Sequence, residues 1–352
     1  MSDKILVSGI GPGVSGVGRL MQTIVPMYVN NGYKILYKRE PSSIRRFLYS
    51  KKYLSIIIEL IRRLFDDFIF TIKCMNIYGK TIIFIHPQTA GYKNLFKLVE
   101  NNEVSIYVMD CSFFCIRSYN MHPVLYKECI QCLGDISPHK SCSPLPTRMN
   151  RKLNIRYLNK LLSVSQKIKF LAQNNKQEIL LKNHFGNDVT VEIVGNHLND
   201  VSEITFDLNK HDCENKYSIV YHAAPIVEKG VIYVIRLAKL MPNYSFLIPA
   251  HRKDVIRVLG GEIVPENISC VDMTWESGLK ECVSCADMVI NPSLWSAPIE
   301  GALLKSAFYN KNVATVKSQY GYEAEFKGIK NHLRLNDDVI IAVKEIKQFL
   351  RK

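Results

Sequence analysis

At 352 residues and 47% hydrophobic content, the chain is long for one core and points to two domains. No apolar run reaches the roughly eighteen residues that a membrane-crossing helix needs. A formal net charge of +14 asks for an anionic partner, whether nucleic acid, anionic lipid or nucleotide phosphate.

The first residues, Met1 to Val7, enter a strand pattern with no secretory leader ahead of them, so a cytosolic protein is expected. Ten cysteines in a reducing compartment argue against a disulfide framework. Ile5-Leu6-Val7-Ser8 reads as the first buried strand. Gly9-Ile10-Gly11-Pro12-Gly13-Val14-Ser15-Gly16-Val17-Gly18-Arg19 follows, then a helical run through Tyr28. Glycines between a strand and a helix let backbone approach a ligand closely. A dinucleotide fingerprint is a poor fit, because Val14 stands where a small residue is wanted and no acidic residue closes a second strand.

Residues 34–63 hold nine Lys or Arg, among them Lys34, Lys38, Arg45, Lys51, Arg62 and Arg63, opposed only by Glu40 and Glu59. Apolar and aromatic residues from Phe47 to Phe65 interleave with them at helical spacing. That pattern suits a helix lying on an anionic membrane. It equally describes a solvated helix with its apolar face on the domain. Nucleic acid is disfavoured, since no binding motif accompanies the charge.

Thr81 to Ile85 reads as another buried strand, with His86 at its carboxyl end. Val104 to Met109 is the next, and delivers Asp110 to the same edge. Residues 110–146 then hold five of the ten cysteines amid scattered Pro and Gly. A long irregular loop inside a domain is uncommon unless something staples it. Cys115, Cys129, Cys132 and Cys142, with Cys129 and Cys132 as a C-x-x-C pair, are the preferred ligands of a structural zinc. Cys111 or His139 could replace one, and four separate buried thiols remain the alternative.

Helices are expected over 149–162 and 175–184, with a short strand at 169–172 between them. Composition turns polar over 199–216, which we read as the linker. Alternation of strand and helix restarts beyond it, implying parallel sheet. Strands are expected at 218–222, 244–249, 268–271, 287–290 and 313–316. Helices fill the gaps near 230–240, 251–259, 276–285 and 299–309, and one more spans 338–350.

Asn291 to Ser306 carries the sharpest signal. A buried strand, Met288-Val289-Ile290, leads into Pro292, and Pro298 suits the first turn of a helix. Glu300 and Gly301 therefore sit where a strand end meets a helix N-terminus, a place that favours anions. This stretch resembles the donor-sugar segment of family 4 glycosyltransferases, which have the two-domain GT-B fold. Ser15-Gly16-Val17-Gly18-Arg19 resembles the loop that opens many such enzymes. Glu228-Lys229-Gly230 matches their pyrophosphate-binding turn. The 110–146 segment is similar to an insertion in some bacterial surface-polysaccharide glycosyltransferases, opened by an acidic residue near the acceptor side, here Asp110.

The resemblance implies two Rossmann-like doubly wound domains facing a cleft. The first is 1–198 with the Cys-rich insertion at 110–146, the second 199–337, and 338–352 is a closing helix packed back on the first. It implies sugar transfer, with retention, from a UDP- or GDP-sugar to a lipid-linked or growing surface glycan at the inner face of the cell membrane. No catalytic metal is called for. Lys229, Glu300 and Asp110 become the candidate catalytic residues. Gly16, Gly18, Arg19, His86, His222, Glu228, Gly230, Arg252, Ser296 and Gly301 become the candidate donor or cleft residues. Two departures stand out: the family's turn arginine falls on Ala224, and the E-x(7)-E pair is incomplete, Glu300 being the one acid in that loop. Arg252 or Lys253 is the expected substitute cation. Trp275 and Glu276 are placed near the base. A GT-B epimerase and a non-catalytic sugar-binding protein are the rival functions.

Overall fold

The computed structural model describes residues 3–13, 16–39, 44–145, 149–196, 216–326 and 331–351. Val14 and Ser15 of the glycine-rich loop, and nearly all of the expected 199–216 linker, lie outside the described residues.

The first half runs β1 (Lys4–Ser8), α1 (Gly16–Asn30), β2 (Lys34–Tyr37), α2 (Ile44–Tyr49), α3 (Tyr53–Met75) and β3 (Thr81–Ile85). It continues with α4 (Pro87–Ala90), α5 (Tyr92–Asn101), β4 (Glu103–Tyr107), α6 (Arg151–Val164), β5 (Ile168–Ala172), α7 (Asn175–Phe185) and β6 (Thr190–Ile193). The second half runs β7 (Ile219–Tyr221), α8 (Val231–Leu240), β8 (Phe246–Ile248), α9 (Arg252–Val258), β9 (Ile268–Cys270) and α10 (Leu279–Cys285). It ends with β10 (Met288–Asn291), α11 (Gly301–Tyr309), β11 (Asn312–Val316), β12 (Asn331–Leu335) and α12 (Val339–Leu350).

Each half forms one six-stranded parallel sheet, ordered β2-β1-β3-β4-β5-β6 and β12-β11-β10-β7-β8-β9. The central strands are apolar along their length because helices cover both faces. β7, β8 and β10 are buried at every residue. Three strands escape the sequence reading: β2, β6 and β12. All three lie at sheet edges and are mostly half-buried or exposed, so their residues lack the apolar run that marks a central strand.

In a doubly wound sheet ligands bind beyond the carboxyl ends of the strands, where the strand order reverses. In the first sheet that point lies between β1 and β3, and in the second between β7 and β10. The loop at 9–13 and His86 leave the first. His222 and the loop at 292–300 leave the second.

Two expectations change. The basic stretch at 34–63 is not one helix: Lys34 opens β2, Lys38 follows it, and α3 begins only at Tyr53. The closing helix α12 packs on α8 and β12 of the second sheet, instead of returning to the first. The reason is the extra edge strand β12, whose flank Ala342, Val343 and Ile346 turn inward to cover.

Candidate functional site

The two sheets face one another across a gap, and a cavity of about 710 Å³ lies in it. Gly16, Arg19, Gln22 and Thr23 of α1 line one wall. His222, Thr274, Trp275, Glu276, Leu279, Gly301, Ala302 and Lys305 line the other. Among the sequence candidates, Gly16, Arg19, His222 and Gly301 thus meet in one place, with Trp275 and Glu276 beside them.

The opposing wall is well ordered chemically. Trp275 stacks on His222 at 5.2 Å and 13°, and the Lys305 ammonium sits 5.1 Å from the Trp275 ring. Burial pushes His222 down to about 4, with Lys305 adding to the effect, so its ring is neutral at neutral pH. Its Nδ1 shares a hydrogen bond of 2.8 Å with Ser306 Oγ. The N-terminus of α11, at Gly301 and Ala302, opens into the same space. Its free N–H groups favour an anion.

Lys229 and Glu300 are joined directly: the ammonium contacts a Glu300 carboxylate oxygen. The other Glu300 oxygen accepts from Ser293 Oγ at 2.6 Å. Lys229 Nζ also lies over Trp295 at 5.1 Å and Tyr119 at 5.8 Å. Burial pushes this ammonium down to about 8, with Glu228 opposing. Neither member of the pair lines the cavity itself, but Glu300 immediately precedes Gly301, which does. Gly230 closes the turn at φ 81°, and a Cβ there would lie 2.1 Å from the Pro292 carbonyl oxygen. Glycine is what lets this turn press against the loop after β10.

Glu228 is directed elsewhere. It forms a buried ion pair with Arg117 of the other lobe at 2.8 Å, so it tethers the lobes and does not reach the cavity. Arg252, the expected substitute cation, also falls away: its guanidinium donates to the Val264 carbonyl at 3.1 Å. Lys305 is the cation the sequence reading missed. It stands four residues after Gly301 on the same face of α11, and helical spacing from Gly301 is the signal that would have found it. Gly18 is buried beneath the cavity wall, where a Cβ would meet Gly13 at 2.8 Å.

His86 and Asp110 meet on the first lobe, with Nε2 3.6 Å from Oδ2. His86 Nδ1 is 2.7 Å from Thr89 Oγ1, and Asp110 Oδ1 accepts from Ser112 N at 2.9 Å.

The cysteine-rich insertion holds the donor-loop candidate Ser296. Asn120 donates to Ser296 Oγ at 2.7 Å and accepts from Ser296 N at 2.8 Å. Ser296 Oγ donates to Glu128 at 2.6 Å. Glu128 also accepts from the backbone N–H groups of Gln319 and Tyr320. Ser296 is therefore an anchor between lobes, and the insertion faces the second lobe's loops.

The zinc expectation is not supported. Among the described residues no group of three or more His, Cys, Asp or Glu side chains is placed to hold a metal ion. Cys115, Cys129, Cys132 and Cys142 lie near enough to influence one another electrostatically. Burial, first, raises Cys115 and Cys142 and pushes Cys132 up to about 12. Contact with α7 fastens this segment: Gly134 N donates to His184 Nδ1 at 2.9 Å, a ring that burial pushes down to about 4 and keeps neutral. Among the described residues eight cysteines are free thiols, and Cys285 is disulfide-bonded.

No family model matches this sequence, and no curated relative matches it. Solved structures do share its architecture. HepE of Anabaena in complex with UDP-glucose superposes with a TM-score of 0.56 at 11% identity, over 98% of this chain and 89% of that one. HepE in complex with UDP gives a TM-score of 0.55 at 9% identity, over 99% and 90%. A glycosyltransferase from Rickettsia africae gives 0.50 at 12% identity, over 99% and 88%.

The fold is GT-B. The two GT-B lobes are the two parallel sheets, and the cavity between them is the cleft of this fold.

Proposed function

We propose that this chain is a glycosyltransferase that moves a sugar from a UDP- or GDP-sugar to a lipid-linked or growing surface glycan, with retention at the anomeric carbon. One observation carries the reading: the 710 Å³ cleft cavity combines an aromatic ring, two cations and a helix N-terminus. Trp275 offers a stacking face to the base. Arg19, Lys305 and the first N–H groups of α11 suit the diphosphate. Fixed positive charge there would offset the charge that develops on the departing nucleoside diphosphate. Lys229 and Glu300, paired beside Gly301, are assigned to the diphosphate and the sugar hydroxyls. Asp110, close to His86, is assigned to the acceptor side as general base or anchor. The fold neighbour HepE was crystallised with UDP-glucose, which agrees with the donor class proposed.

An epimerase of the same fold would want two carboxylates in the cleft, and Glu276 is the one acid among the residues lining the cavity. Calorimetry with UDP and GDP, followed by a transfer and hydrolysis screen over nucleotide sugars, tests the proposal. Lys305→Ala should weaken nucleotide binding by about 10- to 100-fold, the size of one charge-assisted hydrogen bond. Binding with no turnover of any donor would favour the sugar-binding rival. No binding, or binding indifferent to Lys305→Ala, would refute the assigned cleft.

A further inference from the structure

Over its first half helix α3 is built inside out, whereas Phe70 and Cys74 of its last turns are buried in the core. Its inward face carries Glu59, buried and bonded to Arg62 at 2.7 Å and to Arg63 at 3.0 Å. Its outward face carries Leu54, Ile57, Ile61, Leu64, Phe65 and Phe68. Leu54 is 71% exposed, Ile61 62% and Leu64 72%. A helix on a globular domain normally turns its apolar stripe inward. An apolar face this long and this exposed marks an interaction surface.

Three observations select the occupant. First, the exposed apolar residues from Tyr53 to Met75 span an arc of roughly 160° at the α-helical repeat, broader than the narrow seam of a two-helix coiled coil. Second, cations frame the stripe, Lys51 and Lys52 at one end and Lys73 at the other, all exposed. Tyr49, 88% exposed, and Tyr53 stand at the Lys51 end, where amphipathic rings suit a headgroup layer. A second copy would set these same cations against each other. Third, α3 carries Glu59, Arg62, Arg63, Asp66, Asp67 and Lys73 along its length, too many charges for a helix that crosses a bilayer, so the fit is to a surface.

The placement is informative too. Lys38, just past the end of β2, pairs with Asp67 at 2.8 Å. That contact levels Asp67 with the carboxyl edge of the first sheet. The helix ahead of Asp67, about 20 Å long, therefore starts on the side of that carboxyl edge, with α2 packed against it.

We propose that the outward face of α3 docks this chain on an anionic membrane, with the helix lying along the surface and Leu54 to Phe68 sunk into the headgroup boundary. This goes beyond the donor reading and does not depend on it, since vesicle binding needs no sugar. The experiment is flotation of the full chain with vesicles of phosphatidylcholine, alone and mixed with phosphatidylglycerol. Binding is expected to the mixed vesicles and should weaken as salt rises. The variant I61Q/L64Q/F65Q/F68Q should lose about tenfold or more in vesicle affinity while melting at the parent temperature. Lys51→Gln with Lys52→Gln leaves the apolar stripe intact and should flatten the salt dependence, which keeps the test open if the first variant folds poorly. Parent protein that ignores anionic vesicles, or variants that float as well as the parent, would overturn the proposal. So would parent protein that self-associates through this face, with the quadruple variant restoring a monomer in sedimentation velocity.

Discussion

The Arg117–Glu228 pair decides whether Glu228 serves the donor or the architecture. The two side chains meet at 2.8 Å with 10% and 8% of their surfaces exposed, so both charges have left water. Removing one partner of such a pair strands the other and costs about 3–5 kcal/mol. Glu228→Gln should therefore destabilise the chain by about 3 kcal/mol or more. Arg117 Nε is buried with no hydrogen-bond partner among the described residues, so the intact pair is itself imperfectly compensated. The double variant R117M/E228L, which fills the volume with apolar atoms, should fall within about 1 kcal/mol of the parent. A double-mutant cycle on the parent, R117M, E228L and R117M/E228L reads the coupling, about 5 kcal/mol in size if each single variant costs about 3. The assay is urea unfolding followed by the fluorescence of the two tryptophans, with calorimetry of UDP binding on the same four proteins. A double variant that is as stable as the parent yet loses nucleotide binding would refute the reasoning, because it would put Glu228 on the donor. A cost for Glu228→Gln below about 0.5 kcal/mol, the usual size of a surface change, would refute it as well.

Lys229 gives a pH test. With its ammonium pushed down to about 8, it is charged at neutral pH and loses that charge as pH rises past 8. If it binds the diphosphate, donor KM should climb above pH 8, and Lys229→Arg should flatten the climb because guanidinium stays charged; identical profiles for the two proteins would remove Lys229 from that role. Gly230→Ala adds a Cβ 2.1 Å from the Pro292 carbonyl at a left-handed φ of 81°. It should cost about 2 kcal/mol or more, and an unchanged melting temperature would contradict the tight turn.

The elements best read from sequence were those whose chemistry is local. β1, β3 and β10 are short apolar runs bounded by Gly or Pro, and α11 follows a Pro-marked turn, so their positions follow from neighbours in the chain. His222 was legible as a candidate because it stands just after a strand, and Arg19 and Gly301 because each stands in the first turn of the helix that follows one. Lys305 was missed because nothing in its own surroundings distinguishes it from any helix-surface lysine. The four insertion cysteines do come close together, but spacing cannot tell a ligand set from buried thiols, and no metal-holding group forms among the described residues.

Alternation of strand and helix, the glycine-rich turn and the strand-to-helix signal at 291–306 belong to the sequence, since each depends on covalent neighbours and local backbone preference. Strand order, the switch points, the return of α12 to the second sheet and the Arg117–Glu228 and Ser296 ties between lobes came only from the tertiary structure. The ties between lobes join residues more than a hundred positions apart, and in every case the partners are chosen by burial and packing of the whole chain, which no local pattern encodes.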